Sequence, residues 1–387
     1  MDNIAEYVIS DYCLCSATAS DASTLFANSK VGIREEVKEE IVETLGGISE
    51  TKHYSSCPIA DITDNAITSR ILDMLFKSLL PLINNILSND YTANLHLHCI
   101  LPEEYSHRRQ YINLEKINTI LSMIFDNNLP FTFSVSGIEE GSVNALKSCC
   151  NKYLKNEDDI LIFGGLDTLV NKPTVIELLN NNKLQLDSHS QGVSPAEAGA
   201  FIVVKALLNL DSDNKGIPLA RITGISDSIQ FQFQSQSQSQ PQPQKDSSSK
   251  NPLLQCIHAT LQQASVSSEK ITSVVYSANS SLSKSVEWHY IVNNLWPNVL
   301  PEPLRVAVQL CEIESADNPN PYIVETISCQ SSLGECGAVD LALELILSIG
   351  KIQYDTALER YGLAEVTPIL VCHSHDKGVS GAICLQA

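Results

Sequence analysis

Ile162-Phe-Gly-Gly-Leu-Asp-Thr168 and Gly192-Val-Ser-Pro-Ala-Glu-Ala-Gly-Ala-Phe-Ile-Val-Val204 are the two stretches on which the reading of the fold turns. The runs Asp159-Ile-Leu-Ile-Phe163 and Ala200-Phe-Ile-Val-Val204 are short and rich in β-branched and aromatic residues, so each reads as a strand. Upstream, Tyr7-Val-Ile-Ser10, Leu95-His-Leu-His-Cys-Ile-Leu101 and Phe131-Thr-Phe-Ser-Val135 read the same way. Between them, Ile71, Leu72, Leu75, Leu79 and Leu80 recur at helical spacing and predict a helix over Ile67 to Leu87. Downstream a second series offers Leu219-Ala-Arg-Ile-Thr223, Ile271-Thr-Ser-Val-Val-Tyr276, Tyr322-Ile-Val-Glu-Thr326, Pro368-Ile-Leu-Val-Cys372 and Ala382-Ile-Cys-Leu385, with an apolar helix from Ala338 to Ile349. Strands alternating with helices favour a mainly parallel sheet connected through helices. The similar order in each series hints at duplication, although no repeat is visible residue by residue.

The composition sets limits. A chain of 387 residues, 43% hydrophobic and 18% charged, can bury an extensive core. No apolar run approaches the roughly 20 residues of a membrane-spanning helix, and Met1 to Ser10 carries acidic but no basic residues. A cytoplasmic location is expected, with no membrane partner. The twelve cysteines lie mostly within apolar stretches and read as reduced core residues. A formal charge of -20 repels phosphate backbones, which disfavours nucleic acid. Acidic carrier proteins would be repelled too, unless Lys147, Lys152 and Lys155 form a local basic patch. Residues 230 to 250 alternate Gln with Ser and then with Pro, a composition that cannot bury enough apolar surface to order itself.

Ile162 to Thr168 resembles the Gly-Gly-x-Asp-Ser strand and tight turn of the β-ketoacyl synthases, within the thiolase superfamily. Gly192 to Val204 resembles their Gly-Glu-Gly-Ala strand start, with Ala196 and Ala198 standing where the glycines would be. Leu333-Gly-Glu-Cys-Gly-Ala338 resembles the Gly-Ala-Ala-Gly helix start, and Cys372-His-Ser-His-Asp-Lys-Gly-Val-Ser-Gly-Ala-Ile-Cys-Leu385 the glycine-rich hairpin before the last strand. The resemblance spans Ala5 to Leu385 and implies an α/β thiolase-like duplicated five-layer α-β-α-β-α fold with two mixed sheets. The halves would be residues 1–208 and 209–387, the second carrying the insertion at 230–250. It implies a homodimer, or a heterodimer with a ketosynthase-like partner, through the strand matching Phe131 to Val135. An acyl group or an acyl carrier protein is the implied ligand, with Gly164, Gly165, His375 and Gly378 against the substrate. No cofactor or metal is expected.

The catalytic positions depart from the pattern. Such synthases use a cysteine at a helix N-terminus, where the dipole favours the thiolate; its place falls at Glu139, before a helix from about Gly141 to Leu154. An acyl group on a carboxylate would be an anhydride that water destroys. The two histidines match Tyr276 and Ser331, and the lysine matches Thr326. Tyrosine titrates near 10 and is a poor proton acceptor at neutral pH. The resemblance therefore implies a protein that works by association or acyl binding, a pseudoenzyme. The alternative is an active acyltransferase of fatty-acid or polyketide metabolism with an unorthodox nucleophile, Cys149 or Cys372, helped by His373 or His375. His96 and His98 fall on one face of a half-buried strand, opposite Leu95, Leu97 and Cys99.

Overall fold

The computed structural model describes residues 6–45, 48–89, 93–124, 131–156, 158–189, 191–207, 217–228, 251–276, 282–296, 324–375 and 379–387. The strands are β1 (Tyr7–Ser16), β2 (Val37–Leu45), β3 (Ile48–Ser56), β4 (Asn94–Leu101), β5 (Phe131–Gly137), β6 (Asp159–Thr168), β7 (Glu197–Ala206), β8 (Ala220–Asp227), β9 (Ser273–Tyr276), β10 (Glu325–Ile327), β11 (Ile369–Ser374) and β12 (Ser380–Gln386). The helices are α1 (Ala22–Val31), α2 (Ile67–Asn89), α3 (His107–Gln110), α4 (Leu114–Ile124), α5 (Ser142–Tyr153), α6 (Lys172–Asn180), α7 (Pro252–Ala264), α8 (Leu282–Leu295), α9 (Gln330–Leu333) and α10 (Asp340–Glu359).

Ten strands form one sheet in the order β10-β9-β11-β12-β8-β1-β7-β6-β4-β5. From either edge inward the same pattern appears. β4 is parallel to β5 and β6, and β7 runs antiparallel to β6 and β1. Likewise β9 is parallel to β10 and β11, and β12 runs antiparallel to β11 and β8. Where two separate sheets were expected, β1 uses its second hydrogen-bonding edge to pair Tyr7, Val8 and Ile9 with Ile222, Arg221 and Ala220, and this joins the halves.

Side-chain alternation sorts the faces into layers. On β6, Leu161 and Phe163 pack with α5 and α10 in the central core, while Ile160 and Ile162 pack with α2 and α4. On β9 and β11, Val275 and Val371 join the central core, whereas Val274, Leu370 and Cys372 pack with α7 and α8. The sequence of layers is helix, strand, helix, strand, helix. From Asp340 to Ile352 the helix α10 is buried on every side, which is why apolar residues such as Leu341, Leu343, Leu345, Leu347 and Ile349 recur round it instead of forming one stripe.

The sequence missed the β2–β3 hairpin, whose strands are heavily charged. Ile41 and Tyr54 nevertheless bury against Val175, Leu179 and Leu184, and Glu39 accepts hydrogen bonds from the Tyr54 and Ser56 hydroxyls. The expected turn at Gly164-Gly165 is also corrected, since β6 continues through both glycines to Thr168. A Cβ on Gly164 would lie 2.0 Å from the Ala200 carbonyl oxygen, and one on Gly165 would lie 2.5 Å from that of Ala338. The pair lets backbones approach. The strand expected at Tyr322 to Thr326 is present as β10; Tyr322, Ile323, the 208/209 boundary, the 230–250 insertion and Gly378 lie outside the described residues. No described helix is long and apolar enough to cross a membrane. Nine of the eleven described cysteines are buried and none is in a disulfide.

Candidate functional site

A cleft of about 380 Å³ opens between the two series of elements. Its first wall carries Glu103, Arg108, Ile138 and Thr174, and its second carries Lys284, Glu335, Asp340, His373 and His375. The Gly-Gly-Leu-Asp strand and the Gly-Glu-Cys-Gly-Ala helix start meet at its floor. There Asp167 accepts the backbone N–H groups of Thr168 at 2.8 Å and Ala338 at 3.1 Å, and its Oδ1 lies 3.0 Å from Arg108 Nε. Burial raises the Asp167 pKa above the usual carboxylate range, and the Arg108 guanidinium opposes that. Gly337 takes a positive φ of 61°, and a Cβ on it would fall 2.3 Å from Asp167 Oδ2.

The glutamate of the second motif serves the scaffold. Glu197 is 1% exposed and accepts hydrogen bonds from Arg70 Nε at 2.7 Å, the Ile59 N–H at 2.8 Å and the Thr168 hydroxyl at 2.8 Å, with a further ion pair to Arg70 Nη2. Arg70 also donates to the carbonyls of Ile62 and Asp64. A buried ion pair with its remaining groups satisfied avoids the desolvation penalty of an unpaired charge.

Glu139 lies in a 3-10 turn, Ile138–Glu140, directly before α5. Its Oε1 accepts the Glu104 N–H at 3.1 Å. Its Oε2 is buried, with no hydrogen-bond partner among the described residues, and a Cβ on Gly137 would fall 2.3 Å from it. The β11–β12 hairpin closes over the start of α5, because a Cβ on Gly141 would fall 2.3 Å from Val379 Cγ1.

The other three positions are dispersed. Tyr276 is fully buried, stacks on Trp288 with centroids 4.8 Å apart, and its hydroxyl lies 3.2 Å from Glu287 Oε2 and 3.5 Å from Ser374 Oγ. Burial pushes its pKa up. Thr326 is exposed and accepts from Trp288 Nε1 at 3.3 Å. Ser331, in α9, donates to the carbonyls of Ser29 and Ser328 and lines a separate cavity of about 280 Å³ with Arg34 and Gln330.

Among the described residues no cysteine lines the main cleft. Cys372 is fully buried on the opposite face of β11, against α7 and α8, and burial holds its thiol far above the usual range. Cys149 is 6% exposed within α5, and burial pushes it to about 12. Gly164 and Gly165 sit inside the sheet, whereas His373 and His375 both reach the cleft. His375 Nε2 lies 3.5 Å from Glu103 Oε1. His373 Nδ1 lies 3.0 Å from Oε2 of Glu344, which is fully buried. Lys147 pairs with Asp227 at 3.2 Å, and Lys152 lies over the Tyr153 ring, so two lysines of the expected patch are engaged. His96 and His98 face α5 and its neighbours: His96 stacks on Tyr153, and His98 bonds to Ser134 and Ser136.

Sequence reasoning missed Arg108, Lys284, Glu335, Asp340 and Glu344. The available signal was a pair of acids, Asp340 and Glu344, four apart in the strongly apolar first half of the helix. Burial raises the Asp340 pKa well above the usual range, Glu335 and Glu344 add to this, and the Lys284 ammonium opposes it.

No family model and no curated protein matches this sequence. Solved structures do match by shape. One is a type II polyketide acyl-carrier protein in complex with its ketosynthase bound to the hexaketide, at TM-score 0.65 and 12% identity, covering 99% of each chain. Another is a ketosynthase in complex with its chain length factor from Xenorhabdus doucetiae, at TM-score 0.62 and 12% identity, covering 100% of this chain and 99% of that one. A third is the ketosynthase from module 6 of the bacillaene synthase of Bacillus subtilis 168, at TM-score 0.67 and 10% identity, covering 98% of this chain and 72% of that one. With the repeated strand order and the five layers, these matches give the chain the thiolase-type fold of the β-ketoacyl synthases and chain length factors.

Proposed function

We propose that this chain is a ketosynthase-like protein that does not perform the condensing reaction and works by association, as a partner subunit or by holding an acyl group. One observation carries the reading. The residue that motif spacing matches to the nucleophile, Glu139, is a carboxylate anchored on the Glu104 N–H and packed over Gly137, with no histidine bonded to it among the described residues. Tyr276 and Ser331, at the positions of the histidines, are turned into other hydrogen bonds. Without a thiolate to hold the acyl group and imidazoles to stabilise the enolate, the reaction has no route.

Several features support association. β5 is an edge strand of the ten-stranded sheet, and an edge strand offers a partner strand a place to pair; the matched structures include a ketosynthase with its chain length factor and one with its carrier protein. We read residues 1–208 and 209–387 as the halves of one duplicated unit. Incubation with acyl thioesters followed by intact mass tests the reading. No covalent acyl adduct is expected; a stable adduct mapping to one cysteine overturns it. Sedimentation of the pure chain, alone and mixed with a catalytic ketosynthase, reads the association directly.

A further inference from the structure

The condensing chemistry leaves His373 unexplained. Glu344, fully buried on α10, fixes the ring by accepting from Nδ1 at 3.0 Å, so the neutral imidazole keeps its lone pair on Nε2. Among the described residues Nε2 has no hydrogen bond, and the ring lines the cleft. A base oriented by a buried carboxylate is the arrangement that general-base catalysis requires.

Two further groups line the same cleft. Asp340 lies one helical turn before Glu344, and its environment favours the protonated acid. Lys284 is 9% exposed and lines the cleft, and its ammonium acts on the Asp340 carboxyl beside it. A buried cation of this kind is unfavourable unless an anion or a developing negative charge meets it.

We infer that the cleft is a water-activating acid–base site for small acyl thioesters, with His373 as base, Glu344 as its positioning residue, Asp340 as acid and Lys284 facing the developing oxyanion. The thioester class rests on the association and acyl-binding reading given above. His373 Nε2 takes a proton from water as the water oxygen adds to the carbonyl carbon. The adduct collapses with C–S cleavage, and the departing thiolate takes the Asp340 proton. The products are a carboxylic acid and a free thiol. The imidazolium then loses its proton to solvent and the Asp340 carboxylate regains one, which restores both groups.

Thiol release from acetyl and hexanoyl N-acetylcysteamine thioesters, with the full chain, tests this. The wild type should exceed the uncatalysed rate, and His373→Asn should lower it by about 100-fold. Glu344→Gln should lower kcat and change the shape of the pH–rate profile, which a smaller folded fraction alone would not do, and Cys149→Ser should match the wild type. Melting curves establish that each variant is folded, with His373→Gln as the replacement if His373→Asn is not. Wild-type release no faster than buffer, or a folded His373 variant as fast as the wild type, overturns the inference. Intact mass of the same samples separates the two readings, since a cysteine adduct defeats the association reading, whereas absent turnover without an adduct defeats only this one.

Discussion

The Asp167 carboxylate accepts the backbone N–H of Ala338 at 3.1 Å, so a residue of the Gly-Gly-Leu-Asp strand caps a helix start 171 positions away in the other series. Its other oxygen faces Arg108 Nε at 3.0 Å. The motif aspartate ties β6 to the start of α10 beneath the cleft.

Asp167→Ala removes that tie and leaves the Arg108 guanidinium, 14% exposed, without its counter-charge. The expected cost is about 3 kcal/mol, because breaking one side of a buried pair strands the other. Asp167→Asn keeps an acceptor for the Ala338 N–H and should lose less. Urea midpoints of the three proteins check the order, and equal midpoints for Ala and the wild type would show the contact to be idle.

Gly164→Ala and Gly137→Ala should differ sharply. At Gly164 the new methyl meets the Ala200 carbonyl oxygen at 2.0 Å and the Phe201 Cα at 2.6 Å, both backbone, so β6 and β7 must part. A loss of about 3 kcal/mol or poor solubility is expected. At Gly137 the methyl meets only the carboxylate end of Glu139, which can swing away, with loss of the bond to the Glu104 N–H. The cost there should be about 1 kcal/mol. Thermal melts of both variants decide it.

The strands were readable in the sequence because burial on alternate faces leaves a compositional trace. All ten runs of the large sheet were found from apolar residues that the layers then explain, as with Leu161 and Ile162 facing opposite cores. The β2–β3 hairpin was not, since Lys38, Glu39, Glu40 and Glu43 on β2 do not read as a strand, and its burial against α6 depends on tertiary contact. Gly164-Gly165 was misread as a turn because a glycine pair reports close approach as readily as reversal. At the site, the Cys372-His373-Ser374-His375 run pointed to His373, which lines the cleft, whereas Glu139, matched by motif spacing, is not among the cleft-lining residues. The acids Glu335, Asp340 and Glu344 acquire their meaning only from α10 packing against β11, which no local pattern encodes.

If Glu139 occupies the place of a catalytic thiol, Glu139→Cys should create a reactive one. A sulfur there lies in the turn two residues before the Gly141 cap of α5, on the side of the helix's positive end, whereas burial holds Cys149 near 12. Iodoacetamide should label Cys at 139 first among all cysteines, as read by peptide mass. Condensing activity should stay absent, because Tyr276 and Ser331 supply no imidazole. Slow labelling at 139 would mean the position is not at an open helix terminus.

His98 makes the stability depend on pH. The ring is 6% exposed, with Nδ1 at 2.8 Å from Ser134 Oγ, Nε2 at 2.9 Å from Ser136 Oγ, and Phe163 stacked against it. Burial, with a smaller contribution from the Lys152 charge, lowers its pKa from 6.5 to about 4. Between those values the unfolded chain binds a proton that the folded chain refuses, so stability falls as the pH drops from 6.5 toward about 4. The full loss attributable to this ring is about 3 kcal/mol. Acids with depressed pKa, such as Asp21 and Asp159, also lose stability on acidification, but they do so equally in a His98→Gln variant. The difference between the two proteins' urea midpoints across this window therefore isolates the ring. The variant should show the shallower decline, and parallel curves would mean that His98 is protonated in the folded protein.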